Sequence, residues 1–393
     1  MKPQLLKNLP RNVWILGFVS LFTDVSSEMI HSVLPLFLVS TLGANVMTVG
    51  LIEGIAEATA SVLKVFSGAL SDYWGQRKGL AIAGYGLSTL VKPLFAIATS
   101  PAWVLLARFS DRVGKGIRVA PRDALVADVT APSDLGAAYG LRQSLDTIGA
   151  FLGPLIAFAL LSLSAQNFRL VFWVALLPGV LAVALLAVGV QEPKAPIRAR
   201  QNPLRWSALK SLSRKYWWLV GVTLLFSLGN SSDAFLLLRA KQVGIADPLI
   251  PLSLVVMNVA YSLSAYPIGL LSDRVGRLRL LVGGFSLYAL AYLGFGFAQA
   301  PWQIWGLFAL YGLHLGMSQG LLLAIVADTI PSTLRGTAFG LINLVTGVAL
   351  LPASLFAGFL WQSVSPQAAF LVGSLLAIAA TFLLLATPRD NLD

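Results

Sequence analysis

The chain has no cysteine, which excludes disulfides and thiolate metal sites. It has only two histidines, His31 and His314, a thin supply for a metal centre. Charge is scarce: Asp, Glu, Lys and Arg make up 11% of the residues, against ~25% in an ordinary soluble domain. No Gly-x-x-x-x-Gly-Lys-Ser/Thr loop occurs, which argues against ATP drive within this chain. No nucleophile–base constellation is evident either, so the residues do not point to an enzyme. No small-residue cleavage site follows the first apolar run, so that run is expected to be retained rather than removed as a signal peptide.

What is present is apolar. Hydrophobic residues are 57% of the 393, and mean hydropathy is +0.79. A soluble fold of this composition lacks the polar surface to stay dispersed. A spanning helix takes ~20 apolar residues, so twelve with short loops need roughly 300–400. Runs of that length lie at 13–41, 46–70, 80–100, 101–126, 136–163 and 168–190, then at 215–240, 248–271, 279–299, 302–327, 336–361 and 366–387. Lipid offers backbone polar groups no partner and the runs are too long for barrel strands, so each is predicted to be a helix. Residues 191–214 are rich in Pro, Arg, Lys and Gln and read as a cytoplasmic linker between halves 1–190 and 215–393.

The net charge of +11 raises the question of nucleic acid, but its distribution answers it. Basic residues gather at Lys2, Lys7 and Arg11, at Arg77 and Lys78, through the linker, at Arg274, Arg277 and Arg279, and at Arg335. The alternate loops near Asn45, Ser100, Ala300 and Ser365 carry almost none. This is the positive-inside pattern of a multi-pass protein, and it places both termini in the cytoplasm. A bacterial-type inner membrane is the expected location, with no nucleic-acid partner.

The halves repeat. Gly68-Ala-Leu-Ser-Asp72-Tyr-Trp-Gly75 recurs as Gly269-Leu-Leu-Ser-Asp273-Arg-Val-Gly276. Ala127-Asp128, with Gly136, Ala138, Gly140 and Leu141, recurs as Ala327-Asp328, with Gly336, Ala338, Gly340 and Leu341. Leu21-Phe22 with Ser26, Ser27 and Glu28 is echoed by Leu225-Phe226 with Ser231, Ser232 and Asp233. Three matches in order, all near the same offset, indicate a parallel duplication of six spans, a plan transporters use.

Gly68-x-Leu70-Ser-Asp72-x-x-Gly75-x-Arg77-Lys78 resembles the signature loop between helices 2 and 3 of the major facilitator superfamily. Its second copy, Gly269 through Arg277, falls between helices 8 and 9. The resemblance spans the whole chain. It implies an all-α integral membrane fold of twelve transmembrane helices in two pseudo-symmetric six-helix halves, working as a monomer by alternating access. Gly68 allows close helix approach, and Gly75 and Gly276 a tight turn. On that fold Asp72 faces the N-terminus of helix 11, where the dipole favours an anion, and Asp273 does the same for helix 5. Arg77 is expected to meet Asp128, and Arg277 and Asp328 stand at the repeated positions. These contacts are the expected cytoplasmic gate. Gly149-x-x-x-Gly153-Pro154 resembles the helix 5 motif of antiporters in the superfamily, although Ala157 stands where the family has a further glycine. The likeness is to the drug:proton antiporter branch.

A charge at mid-bilayer costs roughly 2.5–3.5 kcal/mol on insertion scales, so those that persist are candidates for function. Asp24, Glu28 and His31 fall within ~60° on helix 1, at ~100° per residue. Helix 2 carries Glu53, Glu57 and Lys64; helix 4 carries Arg108, Asp111, Arg112, Lys115, Arg118 and Arg122; helix 5 adds Arg142 and Asp146; helix 7 adds Asn230 and Asp233. The resemblance places these helices around the central cavity, leaving Lys92 on helix 3 as the exception. Arg112, four residues before Gly116, resembles the helix 4 arginine of proton-coupled members.

Burial favours the neutral form of a carboxyl group, so such a group can load a proton on one side and release it on the other. Asp24, Glu28, Glu53, Glu57 and Asp146 are the candidates for coupling. His31, Arg108, Arg112, Lys115, Arg118, Arg142, Asn230 and Asp233 are the candidate cavity residues. Phe22, Tyr85, Tyr261, Tyr266 and Tyr311 are further candidates for apolar contact. The leading reading is proton-coupled export of a small organic solute. The basic stripe of helix 4 favours an anionic metabolite instead, or else forms an internal salt-bridge network. A third reading is a divalent metal held by Asp24, Glu28 and His31. No cofactor is implied.

Overall fold

A computed structural model describes residues 9–74, 77–131, 134–192, 212–330 and 334–387. The chain forms α1 (Arg11–Thr41), α2 (Val46–Trp74), α3 (Arg77–Ile97), α4 (Pro101–Val129), α5 (Leu135–Leu163) and α6 (Phe168–Gly189). After the linker come α7 (Arg214–Gln242), α8 (Ile250–Val275), α9 (Arg277–Phe297), α10 (Pro301–Thr329), α11 (Arg335–Ser363) and α12 (Pro366–Leu385). Among the described residues eleven helices are long and apolar enough to cross a membrane. The twelfth, α4, has 29 residues, or ~43 Å at 1.5 Å per residue. Its charged stripe alone sets it apart. The expected twelve-helix membrane fold is what the chain adopts.

Several helices are interrupted. In α1 a π-helical turn, Phe37–Thr41, follows Pro35. In α3 the segment restarts at Lys92, just before Pro93. In α7 the helix stops at Gly229 and restarts at Ala234. Pro154 lies inside α5. In lipid a broken helix needs other partners for the freed backbone groups.

The chain divides into two compact units. The first takes the chain through Leu42 and from Thr59 into the linker; the second takes Gly43–Ala58 and the chain beyond the linker. Residues 193–211, most of the expected linker, lie outside the described residues. In the first unit α1 packs on α5 and α6, and α3 on α4 and α6. Its core joins Val13, Leu16 and Val19 of α1 to Leu141 and Leu145 of α5 and Leu186 of α6. In the second, α8 and α9 both pack on α10, and α12 packs on α7 and α9.

Packing repeats between the units at the same offset as the sequence motifs. A Cβ on Gly84 of α3 would stand 2.6 Å from the Gly114 carbonyl of α4. At the matching place, a Cβ on Gly284 of α9 would stand 3.0 Å from the Met317 Cβ of α10. A Cβ on Gly116 would meet Leu63 of α2, and one on Gly316 would meet Ser264 of α8. Small residues at such crossings are what membrane helices need to approach closely.

The far ends of α3 and α9 are closed alike. Arg169 donates to the carbonyls of Ala96 and Ala98 at 2.5 and 2.8 Å. Arg239 donates to those of Phe295, Gly296 and Ala298 at 2.9, 3.1 and 2.9 Å. A cation there satisfies orphan carbonyls and meets the negative end of the helix dipole. The two arginines come from different helices, α6 and α7, so the sequence repeat does not reveal the shared role.

Candidate functional site

Within the first unit, α1 and α5 cross at the two carboxylates of α1. A Cβ on Gly149 would stand 2.7 Å from the Leu21 carbonyl and 2.8 Å from the Asp24 Cβ. A Cβ on Gly153 would stand 2.7 Å from the Glu28 Cβ and 2.8 Å from the Val25 carbonyl. These four residues therefore form one crossing, with glycine required by contact rather than by backbone torsion. Glu28 is 30% exposed and lies 3.4 Å from His31 Nδ1. Asp24 lies within electrostatic reach of Glu28, Asp146, Arg118 and Arg122, and Glu28 within that of Lys115 and Arg112. Asp24, Glu28 and His31 do not make a metal cluster: among the described residues no group of three His, Asp or Glu has that arrangement.

A second set of charges lies beside the first. Arg142 binds Asp146 at 2.6 Å, one turn along α5. Arg122 binds Asp123 at 2.9 Å and donates to Ser20 Oγ at 3.2 Å. Arg142 Nε stands 3.9 Å from the same Asp123 carboxylate. Asp123 thus joins α4 to α5, a role its place in the sequence does not reveal. The Tyr139 hydroxyl, which donates to the Asp123 carbonyl at 2.9 Å, reinforces the junction.

The stripe on α4 is largely buried. Arg108, Asp111, Arg112 and Arg118 are all under 9% exposed. Asp111 stands 3.9 Å from Arg108 and 3.6 Å from Arg112. Arg118 donates to Ser88 Oγ at 2.7 Å and lies 4.7 Å over the Tyr85 ring of α3. Lys92 is also buried. Its Cε would be 3.2 Å from a Cβ on Gly179 of α6, and its ammonium lies within electrostatic reach of Asp111 and of Arg108, Arg112 and Arg118. Lys92 therefore completes the α4 cluster from α3, the physical reason for the one charge that stood apart from the cavity helices. Lys115, Glu57 and Lys64 are partly exposed, while Glu53 is buried. Glu53 and Glu57 lie on the part of α2 that belongs to the second unit.

In the second unit the site is the break in α7. The freed carbonyl of Gly229 accepts from the Tyr288 hydroxyl at 2.9 Å, and that of Ser231 from Tyr292 at 3.4 Å. The Ser232 amide donates to Ser354 Oγ of α11 at 3.2 Å. Tyr311 of α10 donates to Asp233 Oδ1 at 2.9 Å and approaches Asn230 Oδ1 at 3.4 Å. The rings of Tyr288, Tyr292 and Tyr311 lie 4.2 to 6.3 Å apart. His314 joins them and bonds the Gly284 carbonyl through Nδ1 at 2.7 Å, so it is a packed histidine. Tyr288 and Tyr292 carry the break, and only their place on α9 reveals it. Tyr266 of α8 is 74% exposed.

At the signature loops, Arg77 binds Asp128 at 2.5 Å and Arg277 binds Asp328. Glu192 of the linker accepts from the Arg77 amide at 2.6 Å. Gly276 has φ of +97°, as its turn requires. Gly75 and the side chains of Asp72 and Asp273 lie outside the described residues. Gly68 is partly buried in α2, and a Cβ there would touch Ala120 at 3.4 Å. Pro154 is buried one residue beyond Gly153.

Twelve long helices, a duplicated signature loop and buried charges define a multi-pass membrane transporter. The family model of the Major Facilitator Superfamily matches residues 16–238 and 233–392, and the chain belongs to that family. It is 34% identical over 386 residues to an uncharacterised MFS-type transporter of Methanocaldococcus jannaschii, covering 96% of this chain and 95% of the relative. It is 26% identical over 353 residues to the multidrug resistance protein MdtH of Photorhabdus laumondii, covering 88% and 83%. In fold it is similar to the nucleoside transporter NupG, with a TM-score of 0.80 at 14% identity over 96% of this chain and 100% of that one.

Proposed function

We propose that the chain exports a small organic solute in exchange for protons, by alternating access, as a monomer in a bacterial-type inner membrane with both termini inside. The observation that supports this reading most directly is the α1–α5 crossing, where Gly149 and Gly153 bring the α5 backbone against Asp24 and Glu28. A carboxyl group held in such a crossing loads and unloads a proton when a conformational step changes its access to water from one side to the other. Asp146, paired with Arg142, lies within electrostatic reach of Asp24. The MdtH relative, named for multidrug resistance, agrees with an organic substrate. Arg77–Asp128 and Arg277–Asp328 serve as cytoplasmic ties.

The test is flux driven by a pH gradient in proteoliposomes. Asp24→Asn or Glu28→Gln abolishes proton-driven flux while binding and folding persist. Normal pH-driven flux in both variants would sink the assignment. A second reading, transport of an anionic metabolite, draws on the Lys92, Arg108, Arg112 and Arg118 side chains gathered around Asp111. Flux of an organic anion lost in Arg112→Gln, with cation flux absent from the wild type, would move it to first place.

A further inference from the structure

The break in α7 is an expensive feature to build in a membrane. Four residues, 230–233, leave the helical ladder, and lipid supplies nothing in return. The fold puts two tyrosine hydroxyls and a serine on the freed backbone groups, and a third tyrosine on the Asp233 carboxylate. Sequence alone explains the cost in part: Gly229-Asn-Ser-Ser-Asp233 combines a weak helix former with side chains that compete for backbone partners. It does not explain why the chain keeps a carboxylate there.

We infer that Asn230, Asp233 and Tyr311 form a recognition site for the protonated amine of the transported solute. The inference rests on the transporter reading above and names the substrate class. Its first ground is the chemistry of the oxygens. Asp233 Oδ1 and Asn230 Oδ1 lie 2.9 and 3.4 Å from the Tyr311 hydroxyl, so the three oxygens form one cluster. A carboxylate, an amide oxygen and a phenol offer three acceptors, and an ammonium group has three N–H donors and no acceptor. A carboxylate or phosphate brought to the same place would meet the Asp233 charge and the Asn230 oxygen.

The second ground is placement. Asn230 and Asp233 are partly exposed, whereas Tyr288, Tyr292 and Tyr311 behind them are buried. The rings make a rigid wall that fixes the hydroxyls and excludes water from the rear of the site, so the Tyr311 bond to Asp233 is pre-organised. Asp233 also stands immediately before the helical segment Ala234–Gln242, where the dipole favours a negative charge. Of the two basic residues of that segment, Arg239 donates to the carbonyls of α9 and Lys241 binds Asp247.

The third ground is the duplication. Asp233 matches Glu28 in the repeat, and Tyr311 stands two hundred residues after Asp111. In the first unit the matching places carry a carboxylate beside His31 and an aspartate among arginines. In the second they carry a carboxylate that accepts from the Tyr311 hydroxyl.

The experiment uses the full-length protein in detergent and a series of probes sharing one phenylpropyl body. One ends in a primary ammonium, one in a neutral amide and one in a carboxylate. Calorimetry is expected to show binding of the ammonium and at least tenfold weaker binding of the other two. A hydrogen bond to a charged group contributes about 1.5–3 kcal/mol, which is roughly ten- to hundredfold in Kd. Asp233→Asn should weaken the ammonium probe by at least that much. Tyr311→Phe should weaken it less, and Asp233→Glu should restore part of the loss. Equal Kd for the ammonium in wild type and in folded Asp233→Asn overturns the site, as does preference for the amide or carboxylate. Proton-driven flux is read separately. Flux that persists without an ammonium preference defeats the site alone, and ammonium binding without pH-driven flux of any probe defeats the coupling proposal alone.

Discussion

Gly153 of α5 lies so close to Glu28 of α1 that an added Cβ would stand 2.7 Å from the Glu28 Cβ and 2.8 Å from the Val25 carbonyl behind it. The contact is with backbone, which cannot swing aside. Gly153→Ala is expected to cost about 1–3 kcal/mol, the usual range for overpacking a tight crossing. The thermal midpoint in detergent should fall, and flux should fall further because the crossing carries the two carboxylates. A variant with wild-type midpoint and flux would show that α1 and α5 are less tightly joined than this geometry requires.

The break in α7 makes its own stability prediction. Tyr288→Phe removes the donor to the Gly229 carbonyl, leaving a buried acceptor unmet at a cost of about 1–3 kcal/mol. Tyr292→Phe should cost less, because its bond to the Ser231 carbonyl is 3.4 Å long. The same break leans on α12: a Cβ on Gly229 would stand 2.8 Å from the Gly373 carbonyl. Thermal denaturation of the three single variants, Gly229→Ala included, checks the order.

Arg239 and Arg169 give a sharper chemical test. Each spreads a guanidinium over carbonyls at a helix end, two for Arg169 and three for Arg239. Lysine carries the charge but not the planar fork. Arg239→Lys should therefore recover less than half of the midpoint lost in Arg239→Ala, and Arg169→Lys should behave alike. Full rescue by lysine would mean that charge alone closes these helix ends.

The signature-loop ion pairs are expected to contribute little to stability. Arg77 and Asp128 are 22% and 25% exposed, and Asp328 is 61% exposed. Exposed pairs contribute about 0–1 kcal/mol and weaken with salt. A double-mutant cycle on Arg77→Ala and Asp128→Ala should give a coupling in that range, smaller at high salt. The flux of the same variants should change more than their stability does, because a tie that forms and breaks in each cycle acts on populations.

Much of the fold was legible because lipid removes alternatives. Composition, loop charge and the repeats were enough for twelve helices and two halves, since only helices satisfy their own backbone in a bilayer. The pairings Arg77–Asp128 and Arg277–Asp328 were legible because the repeat placed both partners twice. The roles of Asp123, Tyr288, Tyr292 and Arg239 were not. Each depends on which neighbouring helix presents a carbonyl or carboxylate, and helical periodicity says which face a residue occupies but not what that face meets. Lys92 was visible as an oddity, and only the approach of α3 to Asp111 accounts for it.

The glycine crossings recur two hundred residues apart at Gly84 and Gly284 and at Gly116 and Gly316, while the charges between them do not. Where α4 has Arg108, Asp111, Arg112 and Arg118, α10 has Phe308, Tyr311, Gly312 and Ser318. A duplicated ancestor that keeps its joints and rewrites its interior can alter one copy's ligand preference without rebuilding the other. Chemical diversification of such a protein is therefore modular, and libraries that randomise α10 while holding its glycines should yield more folded variants than those that touch the crossings.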